Sequence, residues 1–452
     1  MPSRTLVAFA GACLLAACNF DQAGLDPPPR TLNFPIAVAL SEPPGGGEPR
    51  HLFVANSNFD IHYNTGSLQS LDLERVHAII ASDCGGGSVD CVVPLSSDVV
   101  VSEVGVGSHV SAIDVSPRGD RIYLSVRSNR NLTFVDVDDG ELRCDASIRD
   151  PGGSQDEDIP RCGDAFRRGQ EGEVASERGL VLSDDPVGVT SGRLEDIGAS
   201  AGAGDFVLMA LRGGGVALFL DRDAGPGRQP ELVHIATGFP EQLVNIQLQP
   251  GAGVAWLASQ GSSALGRVAI ALDTGNPTRS FLYDFGDRFV AGIDSGNDVR
   301  DLAFIDGGAT AFALTRSPEA LVTLDVARGG RNPGELGLGD IYEVGNGPSR
   351  IAVAEVEGRE YVLVSCFDAR KIFIIDPAVR ALVAVVGGFS GPFEMAVGPH
   401  TSGGTTDTFL YVTDFTTSQI RVVSLAPLAT AGVPRIVAAI GEPITVETLG
   451  SN

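Results

Sequence analysis

Residues 347–376 read GPSRIAVAEVEGREYVLVSCFDARKIFIID, and the order of turns and strands in this stretch decides the fold. A Gly-Pro turn leads into a strand of small residues at 351–354, and a second strand follows at 361–365. A polar turn at 368–370 then precedes a third strand at 372–376. Short β-branched and aromatic runs bounded by Gly, Pro, Asn and Asp predict strands joined by tight turns. The stretch therefore predicts one unit of an antiparallel sheet.

The same order of turns and strands recurs along the chain. The following unit begins at Gly391-Pro392, and five earlier units can be laid over these two with more drift. From Asp221 onward, successive unit ends are separated by 52, 52, 51 and 48 residues, and such regularity is typical of a repeat protein. The seven predicted units end at Asp72, Asp136, Asp221, Asp273, Asp325, Asp376 and Ser424.

Seven such units predict an all-β fold, a seven-bladed β-propeller of four-stranded blades. A single four-stranded unit cannot bury both of its faces, whereas radial packing around an axis covers both faces of every sheet. The segment 434–440 matches residues 381–386, the outer strand of the sixth unit. We therefore expect the seventh blade to be complete without an N-terminal strand, so that the ring closes by packing alone.

The repeat carries a family resemblance. Its order of Gly-x-x-Pro, Ile-Ala-Val, Tyr-Val and Ile-x-Val-Ile-Asp resembles the YVTN-type propeller repeat of bacterial surface and envelope proteins, and Tyr411-Val412-Thr413-Asp414 nearly spells that motif. The resemblance covers residues from about 33 to 440 and is close in units two, six and seven. It implies the propeller fold more than a function.

The N-terminus has the pattern of an export signal. Arg4 precedes an apolar run at residues 6–15 that is too short to span a bilayer. The run ends in Leu-Ala-Ala-Cys at 15–18, which resembles the lipobox of bacterial lipoproteins, so Cys18 is the predicted lipidation site. Cys13 lacks the preceding branched residue. The alternative is an ordinary secretory signal with a chance cysteine.

The sequence also predicts the domain organisation and the location. Asn19 follows the lipidated cysteine where Asp would favour inner-membrane retention, so we expect the outer membrane or the cell surface rather than the inner membrane. A proline-rich stretch suits a flexible tether. The predicted divisions are a signal peptide at 1–17, a lipidated N-terminus and tether at 18–32, a propeller at 33–445 with inserts at about 83–92 and 140–185, and a tail at 446–452.

Charge restricts the partners. The formal net charge is −25 and the pI is about 4.5, so the protein body should repel nucleic acid and anionic lipid surfaces. We therefore expect contact with the membrane through the lipid alone, and a partner that is an envelope protein or a glycan. The sequence says nothing about oligomeric state.

Exported cysteines predict local disulfides. Cys84 and Cys91 flank a glycine run, and Cys144 and Cys162 bracket an acidic loop, so each pair should form a bridge that pins an insert. Cys366 remains, within an apolar strand, and is predicted to be a buried thiol.

One arginine position recurs in the repeat. Arg127, Arg212 and Arg316 each stand nine residues before a unit-ending Asp, on turns that gather at one mouth of a propeller channel. Guanidinium groups around a rim bind carboxylates and other anions with paired hydrogen bonds. The alternative is that these arginines pair with neighbouring carboxylates of an acidic protein. The same offset is occupied in other units by Tyr63, Phe367 and Phe415.

The first unit offers one local cluster of candidate metal ligands. Asn58, Asp60 and His62 lie in its long turn and would suit calcium or zinc or a general base. The alternative is that Asn and Asp make the backbone hydrogen bonds of the turn itself. The unit-ending Asp residues are likewise interpreted as turn caps and not as a catalytic ring.

No phosphate loop, zinc-protease helix or c-haem motif occurs in the sequence. The leading interpretation is a non-enzymatic, lipid-anchored scaffold without a cofactor, on which the pinned inserts form stiff binding loops. One alternative is a lactonase-like or lyase-like envelope enzyme that needs a divalent metal, and another is a structural subunit of an envelope complex.

Overall fold

The repeated units form seven antiparallel sheets whose inner strands follow one another around a closed ring. The all-β seven-bladed propeller is thereby confirmed. The computed structural model describes residues 25–43, 47–85, 87–144, 159–170, 173, 179–182, 184–198, 203–223, 228–262, 264–273, 275–276, 279–284, 288–289, 298–326 and 337–444. The predicted signal peptide and Cys18 lie outside these residues.

Blades 1 to 4 follow the chain from the inner strand outward. The exceptions are β4, which joins blade 7, and the outer positions of blades 2 and 4. In blade 2 this position is shared by β9 and β10 along β8, and in blade 4 by β18 and β19 along β17. The strands are β1 (Pro35–Leu40), β2 (His51–Asn56), β3 (Ser67–Asp72), β4 (Val92–Val93), β5 (Val100–Gly105), β6 (Val110–Val115), β7 (Arg121–Val126), β8 (Asn131–Asp138), β9 (Glu141–Arg143), β10 (Arg167–Arg168), β11 (Pro186–Arg193), β12 (Gly204–Leu211), β13 (Gly215–Arg222), β14 (Glu231–Thr237), β15 (Leu243–Gln249), β16 (Val254–Ser259), β17 (Ala264–Ala271), β18 (Phe281–Asp284) and β19 (Arg288–Phe289).

Blades 5 to 7 repeat the order without interruption. Their strands are β20 (Val299–Ile305), β21 (Thr310–Arg316), β22 (Glu319–Asp325), β23 (Gly337–Glu343), β24 (Pro348–Val356), β25 (Arg359–Cys366), β26 (Lys371–Asp376), β27 (Ala381–Gly387), β28 (Pro392–Ser402), β29 (Thr405–Asp414), β30 (Gln419–Ser424) and β31 (Arg435–Ile440). Two α-helices, α1 (Leu73–Asp83) and α2 (Leu194–Ile197), follow β3 and β11, and 3-10 turns occupy Asp164–Phe166, Asp306–Gly308, Phe415–Thr417 and Ala426–Thr430. Neither described α-helix has the length and apolar character that crossing a membrane requires.

The apolar core lies between the blades. In the described part of the chain, buried side chains form seven clusters, one for each pair of neighbouring blades. Successive residues of a strand point to opposite faces, so Leu363 packs towards blade 7 while Val362 and Val364 pack towards blade 5. Each blade is therefore held by both of its neighbours.

The ring closes between blades 1 and 7. Blade 7 takes β28 to β31 from the C-terminal part of the chain, as expected. The expectation of closure by packing alone is wrong, because β4 of the first insert pairs in parallel with β31. Ala439 donates its amide hydrogen to the Cys91 carbonyl at 2.8 Å, and Gly441 donates to Val93 at 3.0 Å. We call α1 and β4 with their connection, residues 73–93, the closing segment.

The structure confirms both predicted disulfides and the buried thiol. Cys84 is bonded to Cys91 and Cys144 to Cys162, while Cys366 is free and buried. Burial raises the pKa of the Cys366 thiol to about 12. The described residues of both inserts contact the blades: the first insert closes the ring, and the second supplies the Cys162 amide that donates to Gly105 of blade 1 at 2.8 Å.

The unit-ending Asp residues make two kinds of contact, with turn amides and with arginine guanidinium groups, and Asp376 makes both, the second with Arg359. Asp72 caps α1 by accepting a hydrogen bond from the Arg75 amide, and Asp376 accepts from Ala378 in its turn, as predicted. Asp136 and Asp221 instead accept hydrogen bonds from the Arg121 guanidinium. The interpretation as turn caps therefore fails for these two, because the Arg121 guanidinium reaches Asp136 on the adjacent strand of blade 2 and Asp221 on β13 of the neighbouring blade.

Candidate ligand site at the channel mouth

Five arginines line one cavity at one end of the central channel. Strand direction alternates, so the turns between second and third strands lie at the same end of the ring as the beginnings of the inner strands. The cavity between them has a volume of about 210 Å³, and no Asp or Glu of the described residues lines it. We call this cavity the arginine mouth, after Arg127, Arg212, Arg300, Arg316 and Arg350.

Three of these five arginines were predicted from the sequence. Arg127 and Arg212 directly follow the second strands of blades 2 and 3, and Arg316 is the last residue of the second strand of blade 5. The structure brings all three to one cavity, as expected. Arg300 and Arg350 were missed because they lie near the beginnings of the inner strands β20 and β24. The two positions are not equivalent, because Arg350 occupies the place that Asp301 has in β20, so no single offset within the repeat would have found both.

Four of the five guanidinium groups have carboxylate partners. Arg127 pairs with Asp185 and Arg316 with Asp368, each at 2.8 Å. The remaining pairs are Arg300 with Asp298 and Arg350 with Glu394.

Arg212 differs from these four. Its side chain is exposed, and its guanidinium makes no hydrogen bond or ion pair with any residue that the structure describes. Of the three arginines predicted from the repeat, the alternative interpretation of pairing with neighbouring carboxylates therefore holds for Arg127 and Arg316 and fails at Arg212.

Electrostatic crowding marks the inner part of the mouth. Burial lowers the pKa of Arg300, the ion pair with Asp298 opposes this, and the charges of Arg316 and Arg350 lower it further. Below them, burial raises the pKa of Asp301 to about 6 although Arg350 opposes the shift. Asn245 donates a hydrogen bond to Asp301 at 2.5 Å. An incoming anion would thus meet arginines before it meets the Asp301 carboxyl.

Aromatic side chains form the other side of the mouth. Phe34, Phe59 and Phe415 are in mutual contact, with ring centroids 5.1 to 6.2 Å apart. Phe367 and Phe415, two of the predicted positions, line an adjoining cavity of about 290 Å³ together with Phe393. The two cavities share Ile36, Arg316, Ser349 and Phe393.

Tyr63 does not join the other predicted residues. It lines a separate cavity of about 490 Å³ with His62, Pro28 and Leu95. The turn of blade 1 is longer than the other turns, so an equal offset from the unit-ending Asp does not reach an equivalent place. Phe59 of the same turn lies at the arginine mouth instead.

The three candidate metal ligands serve the turn of blade 1. The Asn58 amide donates to the Tyr63 carbonyl at 2.6 Å and to Ser108 at 2.9 Å, and its oxygen accepts from the Tyr63 amide. Asp60 accepts a hydrogen bond from the His62 amide at 3.2 Å. Among the residues with described positions, no group of three His, Cys, Asp or Glu could hold a metal ion. The observed contacts are those of a self-bonded turn.

Comparison with known proteins supports the fold alone. No family model and no curated protein matches the chain. The solved hydrazine synthase of Kuenenia stuttgartiensis is 14% identical with a TM-score of 0.53, covering 87% of this chain and 96% of that one. The Cps50 (Swd1) β-propeller domain of Myceliophteria thermophila is 12% identical with a TM-score of 0.51, covering 86% and 96%. The periplasmic gluconolactonase PpgL of Pseudomonas aeruginosa is 16% identical with a TM-score of 0.49, covering 77% and 83%.

Proposed function

We propose that this chain is a non-enzymatic binding protein of the bacterial cell envelope, whose arginine mouth holds an anionic ligand. The observation that carries the proposal is the concentration of five arginines around one cavity in a chain of formal charge −25. Guanidinium groups offer paired donors that match carboxylate geometry. The four partner carboxylates orient their arginines, and Arg212 supplies donors that no described residue uses.

The proposed role also uses the shape of the cavity. Binding sites are concave and mostly preformed, with a few charged groups that set orientation. The arginine mouth has these properties because strands hold Arg300, Arg316 and Arg350, while short turns hold Arg127 and Arg212. An anion would meet a local positive potential on an otherwise acidic protein, which favours capture of small anions and disfavours polyanions that touch the surface elsewhere.

Replacing Arg212 by glutamine should weaken anion binding about tenfold to a hundredfold, because hydrogen bonds to charged groups contribute about 1.5–3 kcal/mol. The measurement is the concentration-dependent rise in melting temperature with acetate, succinate, sulfate and phosphate at constant ionic strength. A saturable rise that Arg212→Gln loses would support the proposal.

The matched control for this experiment is Arg380→Gln, which removes the same charge. Arg380 lies in the turn between β26 and β27, at the other end of the blade, and its side chain is 75% exposed. The proposal is wrong if no anion gives a saturable rise, or if the two variants respond alike.

The envelope location rests on the predicted lipobox and is tested separately. Cys18→Ser should abolish incorporation of an alkyne-labelled fatty acid and shift the protein from the membrane fraction to the released fraction, since the thiol is the predicted acceptor of the lipid. Cys13→Ser is the matched control and should keep both the label and the fractionation. Labelling that persists in Cys18→Ser would contradict the lipoprotein prediction.

A further inference from the structure

We propose that the ligand of the arginine mouth is an organic monocarboxylate with an aromatic or similarly flat apolar body. This inference rests on the proposed function and names the class of anion. It depends on three features of the mouth, which are the balance of its charges, its aromatic side and an unpartnered buried hydroxyl group.

The charge balance favours a single negative charge. Five guanidinium groups line the mouth, and four of them are paired with Asp185, Asp298, Asp368 and Glu394. One positive charge, that of Arg212, is left for the ligand. A second ligand charge would have to compete with a carboxylate already in place, and like charges at short range repel. A monoanion therefore fits better than a phosphate dianion or a dicarboxylate.

The aromatic side provides room for an apolar body next to the charge. The adjoining cavities have volumes of about 210 and 290 Å³ and share four lining residues, so one ligand can occupy both. Phe367, Phe393 and Phe415 line the second cavity. Phe59 is 59% exposed at the edge of the first, an unusual state for a large apolar side chain beside a cavity. Aromatic rings would gain contact area and stacking there.

A buried hydroxyl group provides the third feature. Ser57 lines the arginine mouth, is only 3% exposed, and its Oγ has no hydrogen-bond partner among the described residues. Buried polar atoms in proteins nearly always have a partner, so an isolated one beside a cavity points to a ligand atom. The Nε atom of Arg127, which also lines the mouth, is buried and has no hydrogen-bond acceptor among the described residues. Both groups are donors, and a carboxylate accepts from both.

The test compares five ligands by isothermal titration calorimetry at constant ionic strength. These are 3-phenylpropanoate, propanoate, 3-phenylpropan-1-ol, succinate and phosphate. We expect 3-phenylpropanoate to bind at least about tenfold more tightly than propanoate, because burial of the phenyl ring removes apolar area from water. The alcohol should show no saturable binding, and neither dianion should exceed propanoate in affinity.

Two variants distinguish the contribution of the ligand's carboxylate from that of its aromatic ring. Arg212→Gln should weaken both carboxylates. Phe59→Ala should weaken 3-phenylpropanoate about three- to tenfold and leave propanoate unchanged, since an aromatic contact adds modestly to area burial. Phe59 is exposed, so the variant should fold, and an unchanged melting temperature without ligand verifies this. Arg380→Gln should bind all five ligands as the unaltered protein does.

The outcomes distinguish the two proposals. Equal affinity for propanoate and 3-phenylpropanoate, or tighter binding of succinate or phosphate, would overturn the monocarboxylate inference while leaving anion binding intact. An absence of saturable binding for every anion would overturn both. Loss of 3-phenylpropanoate affinity in Arg212→Gln and Phe59→Ala, with retention in Arg380→Gln, would establish the inference.

Discussion

Replacement of Arg228 by methionine is expected to lower the free energy of unfolding by about 3–5 kcal/mol, because it removes one partner from a buried ionic cluster. Arg228 lies between blades 2 and 3, where its guanidinium contacts Asp205 at 2.5 Å and Asp221 at 3.0 Å. Both of these carboxylate side chains are fully buried. Without Arg228, their negative charges would lie together with too little compensation.

The rest of the cluster cannot take over this role. Arg121 donates to Asp221 at 2.7 Å, but it also serves Asp136. The Tyr123 hydroxyl donates to Asp221 at 2.6 Å and carries no positive charge. Asp205 would keep only the longer ion pair with Arg118, at 3.4 Å. Most of the lost stability should therefore come from the uncompensated negative charge of Asp205.

The pH dependence of the loss follows from the same geometry. Burial raises the pKa of Asp205, and Arg228 and Arg118 oppose that shift. Removing Arg228 should raise the pKa of Asp205 further. A carboxyl whose pKa is raised on folding loses stability as the pH rises through the folded value. The loss of stability in the variant should therefore be larger at pH 8 than at pH 5.

Urea unfolding curves at pH 5 and pH 8 measure this effect, with the single Trp256 as the fluorescent reporter. Arg143→Met is the matched control, because Arg143 forms an ion pair with Asp138 in which both side chains are more than 60% exposed. Such a pair contributes at most about 1 kcal/mol. Adding Asp205→Asn to Arg228→Met should restore part of the stability. Equal stability of Arg228→Met and the unaltered protein at pH 8 would show that the cluster does not stabilise the fold.

The second large effect concerns the closing segment. Cys84→Ser with Cys91→Ser should lower the free energy of unfolding by about 2–3 kcal/mol, the chain-entropy contribution of a short disulfide loop. The bridge holds β4 against β31, where Ala439 and Gly441 donate to β4 and the adjoining Cys91. Ser88 also donates to the Val437 carbonyl at 3.0 Å. Without the disulfide, the loop between residues 84 and 91 would lose more conformational entropy when these hydrogen bonds form.

Contacts of α1 strengthen the same junction. His77 of α1 is buried, and its Nε2 lies 2.7 Å from the Tyr411 hydroxyl of blade 7. Its ring stacks on that of His400, with centroids 4.0 Å apart. Burial and the neighbouring His400 lower the pKa of His77 to about 3. The folded propeller therefore favours the neutral imidazole of His77. At a pH below the ordinary pKa of histidine, protonation should favour the unfolded state and weaken the contact between blades 1 and 7 further.

Hydrogen exchange localises the effect of opening the disulfide. The amides of Ala439 and Gly441 should exchange faster in the Cys84/Cys91 variant, because their acceptors lie on the released segment. The matched control replaces Cys144 and Cys162 by serine, which opens a longer loop in blade 2 and should leave these two amides protected. Unchanged protection of Ala439 in the Cys84/Cys91 variant would contradict a closing role.

The sequence predicted the number of blades more completely than it predicted the residues that line the channel mouth. Blade number followed from the spacing of unit ends, because each blade takes its main strands in order along the chain and the two disulfide-bridged inserts lengthen only blades 1 and 2. Arg127, Arg212 and Arg316 could be found since a fixed offset within a repeat becomes a fixed place on a ring. Arg300 and Arg350 could not be found by that offset, because they occupy a different strand.

The role of the first insert was not predictable from local patterns. The residues of β4 pair with a strand more than three hundred positions away, and a two-residue strand has no periodicity of its own. The cysteine spacing predicted the bond between Cys84 and Cys91 but not what the bonded loop would contact. The buried cluster around Arg228 was missed for the same reason, since its carboxylates belong to separate units.

Each blade takes its main strands in order along the chain, and among the described strands only the short β4 crosses from the N-terminal part to blade 7. The order of blades around the ring therefore matters more than the point at which the ring is cut. A circular permutant that joins Ile440 to Pro35 through a linker, and opens the chain between two other blades, would keep every hairpin. In that permutant the covalent linker would hold blades 1 and 7 together in place of β4, and the Cys84–Cys91 bridge would no longer be needed to close the ring. The new gap would then be the weakest point of the toroid.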